Sequence, residues 1–298
     1  MSFFEPPRLI EADVFAAVPD RLRKGGAPSS WIDANHPGSK LDCFLEGPAF
    51  DRDGNLYMVD IPYGRILRMS PKGEFDVAAE YDGWPNGIAI HQDGSIFIAD
   101  YRRGILRCDP KTGRVEDFLT HNQSEGFKGV NDLTFSRDGD LYFTDQGQTG
   151  IHDPTGRVYR HGADGRLDCL ITNGPSPNGI VLDPQDKVMY VAMTRANCMW
   201  HCPLKGGGIS KAGVFAVLPG IHGPDGLAMD EAGKGPRRLR TGVPSLPGEV
   251  VTAKVDLVMA NDAQFPQSCK ALEDIGLKKV FDADKADAYA KSFAIQRM

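Results

Sequence analysis

Five oxygen-bearing side chains recur along this sequence at nearly constant spacing: Glu46, Asn86, Asn131, Asn178 and Asp225 lie 40, 45, 47 and 47 residues apart. Two carboxylates and three amides, with no cysteine or histidine among them, suit a hard cation such as calcium, magnesium or manganese. That chemistry requires the chain to bring the five together. A local explanation competes, because Asn and Asp before Gly favour turns, and Asn86, Asn178 and Asp225 each precede a glycine. A turn has no need of Glu46, and it does not explain why every member of the set is an oxygen donor.

The elements that must position these residues are visible as a repeat. EGPAFDRDGNLYMVD at 46–60, NGIAIHQDGSIFIAD at 86–100, NDLTFSRDGDLYFTD at 131–145, NGIVLDPQDKVMYVAM at 178–193 and DGLAMDEAGK from 225 are copies of one pattern. In each, apolar residues alternate with polar or small ones, and Asp-Gly at 53–54, 93–94 and 138–139 supplies a tight turn between two short strands. The intervening stretches GRILRMSPKGEFDVAAE and GILRCDPKTGRVEDFLT are apolar runs broken by turn signals, which adds two more strands per unit. Four antiparallel strands every 40 to 47 residues describe a β-propeller blade. Radial stacking places the innermost strand of every blade along one axis, so the first residues of distant repeats become neighbours.

The length of the chain is compatible with one large all-β domain as well as with two smaller ones, and does not choose between them. Of 298 residues, 41% are hydrophobic and 25% charged, which are ordinary globular values. A formal charge of -6 offers no basic face for phosphates, which argues against nucleic acid or anionic membranes as partners. The amino-terminal segment lacks a basic region followed by an apolar stretch, and no apolar run approaches the length of a membrane span. Six cysteines at 43, 108, 169, 198, 202 and 269 form no regular framework. A reduced, cytoplasmic setting is expected; oligomeric state is not readable.

The motifs LEGPAF at 45–50, GVNDLTF at 129–135, SPNGIVLD at 176–183 and GPDGLAMD at 223–230 carry a specific resemblance. Over about residues 8–234 the chain resembles the family of gluconolactonase, regucalcin (senescence marker protein) and luciferin-regenerating enzyme. The resemblance implies a six-bladed β-propeller that hydrolyses small lactones with one divalent metal ion, calcium foremost, with magnesium, manganese or zinc as alternatives. It places the metal ligands on Glu46, Asn178 and Asp225, a general-base role on Asp225, and a substrate- or solvent-positioning role on Asn131. For Asn86 it leaves substrate contact and a structural turn as equal options. A second reading of the same fold is a propeller that binds a ligand or partner without chemistry, since fold alone implies no reaction.

Other residues are assigned structural roles. Cys198, His201 and Cys202 lack the second ligand pair that zinc needs, and strand alternation puts the cysteines on one face and the histidine on the other. Asp60, Asp100 and Asp145 close the second strand of three repeats and read as structural turns or blade-to-blade hydrogen bonds. KGGG at 205–208 reads as a blade turn, and no GxSxG elbow announces a serine nucleophile. His222, three residues before Asp225, is placed within reach of the site. Loops 121–129 and 146–157 are expected at the channel mouth, where they would set specificity.

The pattern breaks after Gly233. Residues 235–298 form an atypical tail, rich in Pro, Gly and Arg at first and then helical in its apolar spacing over 270–294, with Leu272, Ile275, Leu277 and Val280 apolar. This leaves blades five and six in doubt. It also raises a third possibility, an enzyme inactivated by an altered carboxy terminus.

Overall fold

The computed structural model describes residues 13–218, 223–229 and the strand at 292–295. Four antiparallel sheets carry the expected repeat. Blade one is built from Leu45–Phe50, Leu56–Asp60, Arg65–Met69 and Phe75–Glu80; blade two from Pro85–Ile90, Ile96–Asp100, Gly104–Asp109 and Arg114–Leu119. Blade three comprises Val130–Phe135, Leu141–Asp145, Gly156–His161 and Leu167–Gly174. Blade four comprises Pro177–Leu182, Val188–Met193, Cys198–Lys205 and Gly213–Val217, with Gly208–Ile209 folded back on its third strand. The fold is all-β, a propeller-like ring of sheets.

The second strands LYMVD, IFIAD and LYFTD are buried along their whole length. Their near-continuous apolar character follows from being covered on both faces by neighbouring blades. The core is accordingly a series of wedges between blades. Ile66 and Val59 of blade one pack with Ile88, Ile98 and Leu106 of blade two. Phe97 and Ile105 of blade two meet Leu133, Phe143 and Tyr159 of blade three, where Phe143 and Tyr159 stack at 5.2 Å. Val158 and Ile171 of blade three meet Ile180, Met189 and Val191 of blade four.

Asp60, Asp100 and Asp145 are fully buried, and each ties the end of a second strand to nearby backbone. Asp60 Oδ1 accepts from Phe44 N at 2.8 Å and Asp145 Oδ1 from Gly129 N at 2.8 Å, both just before a first strand. Asp100 Oδ1 accepts from Arg102 N and Arg103 N. In these bonds they are clasps within a blade, and Asp100 also accepts from Tyr81 Oη at 2.9 Å, just past the last strand of blade one, so the blade-to-blade alternative holds at Asp100.

Cys198 and Cys202 lie in the wedge between blades three and four while His201 packs on Tyr190 and Phe215, as strand alternation requires. KGGG forms a tight turn, with Lys205 paired to Gly208 and both central glycines at positive φ.

Asp13–Ala17 pairs antiparallel with Ser292–Ile295. The helical spacing read over 270–294 therefore does not extend to its end, where pairing with a distant strand overrides local preference. The rest of the tail, and the fifth and sixth blades expected from the resemblance, lie outside the described residues; 223–229 carries the start of the fifth repeat and forms no strand.

Candidate active site

Strand register brings the repeat's first residues to one end of the ring. Leu45 pairs with Asp60, Pro85 with Asp100, Val130 with Asp145 and Pro177 with Met193. The following residues, Glu46, Asn86, Asn131 and Asn178, thus stand at the same level, beside the turns that leave the second strands. In each of these four blades the register slips at or just past that residue: between Glu46 and Ala49, Pro85 and Gly87, Val130 and Leu133, and Pro177 and Ile180. A bulge at that point re-aims a side chain away from the regular pleat.

The inner strands touch through glycines that follow the ring residues. A Cβ on Gly47 would lie 2.7 Å from Asn86 O, one on Gly87 2.8 Å from Asn131 O, and one on Gly179 2.4 Å from Asp225 O. Backbone occupies the space a side chain would need. At the third repeat the equivalent residue is Asp132, whose carboxyl bridges to blade four: Oδ2 accepts from Ile180 N at 3.0 Å and Oδ1 from Leu133 N at 2.9 Å. Thr144 Oγ1 completes that junction by donating to Asn178 O at 2.8 Å.

Glu46 and Asp225 meet electrostatically across the ring. Burial pushes the Glu46 carboxyl well above the ordinary range, and the charges of Asp225 and Asp132 raise it further. Asp225 is raised by burial, against a hydrogen bond from Asn178 and the charge of Arg195, which both lower it. Asp132 rises to about 6, first through burial and then through Asp225, despite its two backbone bonds. Glu46, Asp132, Asn178 and Asp225 all keep part of their surface open, as side chains facing an axial channel should. Asp225 is held in place on its backbone, with Gly179 N donating to Asp225 O at 3.1 Å and Thr194 Oγ1 to Pro224 O at 2.7 Å.

Among the predicted residues, Glu46, Asn178 and Asp225 are thus drawn together. Asn131 is 6% exposed, and its Nδ2 donates to Gln146 Oε1 at 3.0 Å, with Gln146 passing the chain on to Ser176 Oγ at 2.9 Å. Asn86 presents its backbone to Gly47, and its side chain is half-exposed. His222 lies outside the described residues. Asp132 was missed by sequence reasoning, although it is the one place in the ring where the repeat's Gly is replaced by an acid. Among the described residues no group of three or more Asp, Glu, His or Cys is arranged to hold a metal ion. A cation here would rest on two carboxylates and amide oxygen, a set that fits calcium chemistry.

The two loops expected at the mouth are joined to each other. Arg157 bonds Glu125 through both terminal nitrogens, and Lys128 Nζ donates to Thr155 Oγ1 at 2.6 Å. Gln148 reaches Tyr101 Oη at 2.7 Å on blade two.

A family model described as "SMP-30/Gluconolactonase/LRE-like region" matches residues 44–235, the span that holds the blades and every ring residue. The chain belongs to this family. Among curated relatives it is 28% identical over 214 residues to lactonase drp35 of Staphylococcus epidermidis, covering 67% of this chain and 63% of that one. The corresponding protein of Staphylococcus aureus strain MRSA252 is 29% identical over 216 residues, with the same coverage. The chain therefore spans less than two thirds of the length of these relatives. Two solved structures share the fold: a calcium-binding protein, regucalcin, of Agrobacterium tumefaciens (TM-score 0.61, 21% identity, 96% of each chain) and XC5397 of Xanthomonas campestris, titled a gluconolactonase (TM-score 0.58, 22% identity, 76% of this chain and 79% of that one). No helix among the described residues is long and apolar enough to cross a membrane.

Proposed function

We propose that this SMP-30-family chain hydrolyses small lactones at the axial end of its ring, with Glu46, Asn178 and Asp225 holding one divalent cation, calcium foremost. The observation that carries the reading is the meeting of Glu46 and Asp225, far apart in sequence, at one partly open point where each carboxyl is held above its ordinary range. Carboxylates crowded in this way are unfavourable unless a cation or a proton joins them. The name lactonase on the drp35 relatives, and the names gluconolactonase and calcium-binding protein on the two structural neighbours, support the same reading.

When bound, a divalent cation supplies Lewis-acid polarisation of a lactone carbonyl. The protein's own residues do the rest. The hydrogen bond from Asn178 fixes the orientation of Asp225, leaving its carboxylate to accept a proton from attacking water. The water oxygen bonds to the carbonyl carbon, the ring C–O bond breaks, and the released alkoxide takes up the proton to give a hydroxy acid. Asn131, fixed by Gln146, and the half-exposed Asn86 line the approach as substrate-positioning groups. The cytoplasm is the proposed setting.

Acid release from glucono-1,5-lactone and a simple aliphatic lactone, followed with and without chelator, tests this. Glu46→Gln keeps the side chain's size and removes one charge, and turnover should fall by at least about a hundredfold. Turnover that survives both chelation and Glu46→Gln would overturn the proposal.

A further inference from the structure

Among the described residues, Arg195 is the cation whose charge lowers the Asp225 carboxyl, and its surroundings differ from those of the other arginines at the same level. It belongs to the turn Thr194–Ala196 that leaves the second strand of blade four. Thr194 N donates to Ser176 O at 3.1 Å, two residues before Asn178, and Thr194 Oγ1 to Pro224 O at 2.7 Å, one residue before Asp225. The turn is closed by Asn197 N on Thr194 O at 3.2 Å. Arg195 is thus anchored by its neighbour's backbone and hydroxyl to the two segments that carry proposed ligands.

In the equivalent turn of blade two, Arg102 is bonded to Asp82 and Arg103 to Asp117. In blade one, Arg65 is buried against Asp60. Arg195 is exposed and makes no hydrogen bond or ion pair with any described residue, while its charge is felt by Asp225. Across from it stands the 146–157 loop. A Cβ on Gly150 would lie 3.8 Å from Arg195 Cβ and 3.1 Å from His152 Nδ1, so the bare glycine leaves room at the point where the two side chains approach.

Three acids and one divalent cation leave the axial site with residual negative charge, which repels an anionic ligand. A guanidinium carried on this anchored turn, with no hydrogen-bonded partner among the described residues, offsets that repulsion and presents a planar fork that matches a carboxylate. We propose that Arg195 is a specificity residue that receives a free carboxylate on the substrate, making lactones of dicarboxylic sugar acids the favoured class. This rests on the lactonase reading above and narrows it.

The test compares glucaro-1,4-lactone, which carries a free carboxylate, with glucono-1,5-lactone, which does not, in the wild-type chain, Arg195→Gln and Arg195→Lys. The ratio of kcat/KM for the charged lactone over the neutral one should fall by about ten- to a hundredfold in Arg195→Gln, the range of one charge-assisted hydrogen-bonded contact. The loss should lie in KM, and Arg195→Lys should recover part of it. A ratio that Arg195→Gln leaves within about threefold of wild type, in protein of unchanged circular dichroism, would overturn the inference, since one such contact is worth at least about tenfold. If the wild type opens neither lactone, the hydrolase reading fails and calorimetry decides the fate of Arg195. Glucarate binding weakened by Arg195→Gln relative to gluconate binding supports the carboxylate site; equal effects on both, or no glucarate binding to the wild type, refutes it.

Discussion

Replacing Asp225 by Asn should make the metal-free protein more stable while abolishing its response to calcium. In the native state Asp132 holds its proton up to about 6, against 3.8 ordinarily, with burial as the first cause and the charge of Asp225 contributing. A group whose folded value is raised binds its proton more tightly when folded. The stability this confers is complete below 3.8 and is lost as the pH climbs through about 6. A shift of this size corresponds to about 3 kcal/mol of ionisation penalty at neutral pH. Burial takes the larger part and Asp225 the smallest, so removing Asp225 relieves a minor share of that penalty at Asp132, and it relieves Glu46 in the same direction. Asn still accepts the hydrogen bond from Asn178. In chelator at pH 7.5 the melting temperature of Asp225→Asn should therefore exceed that of wild type by about 2–4 °C. At pH 5, where Asp132 of the wild type already holds its proton, the gain should shrink. Calcium should raise the melting temperature of the wild type alone. A metal-free variant that melts lower than wild type at pH 7.5, or whose gain is as large at pH 5, would refute the coupling of these carboxyls.

Two further outcomes test the frame around the site. Gly179→Ala would push a Cβ to 2.4 Å from Asp225 O and 2.6 Å from Leu227 N; because both are backbone atoms, Asp225 must be displaced, and calcium stabilisation and lactone turnover should fall together, by at least about tenfold in turnover. Asp60→Ala leaves the buried Arg65 guanidinium without its carboxylate, which should cost about 3–5 kcal/mol in urea unfolding. Adding Arg65→Met should return most of that loss, and failure of the double variant to do so would argue against an unpaired buried charge as the cause.

The blades and most of the ring were legible because repetition multiplies weak local signals. The first two strands of the first four repeats fall within a residue of the stretches read from alternation and turn signals, since a period of two and a tight turn are both local properties. The convergence of Glu46, Asn178 and Asp225 was legible only through the radial logic of the fold; no local property of Glu46 points to Asp225. The bulge at the ring residues was not legible, because a bulge is a mismatch between two strands rather than a feature of one. The roles of Asp60 and Asp145 were half legible. Their recurrence announced a structural duty, but the donor, a backbone N–H just ahead of the first strand, depends on register. The strand Ser292–Ile295 was misread as the end of a helix because its partner lies at the other end of the chain.

Asp132 shows why the repeat both reveals and conceals a site. Inner strands can pack this closely only if the residue after each ring position lacks a side chain, and Gly47, Gly87 and Gly179 meet that condition against backbone at 2.4–2.8 Å. An acid at the same position in blade three cannot satisfy it, so the junction with blade four is made by hydrogen bonds instead: the Asp132 carboxyl accepts Ile180 N, and Thr144 reaches Asn178 O. That substitution moves a third carboxyl into the field of Glu46 and Asp225. A perfectly symmetric ring would offer equivalent donors from every blade and no direction of approach. Breaking the symmetry at one junction concentrates negative charge between blades three and four and the segment bearing Asp225, on the side where Arg195 stands, and so gives the axial site a charged polarity that an incoming lactone can be read against.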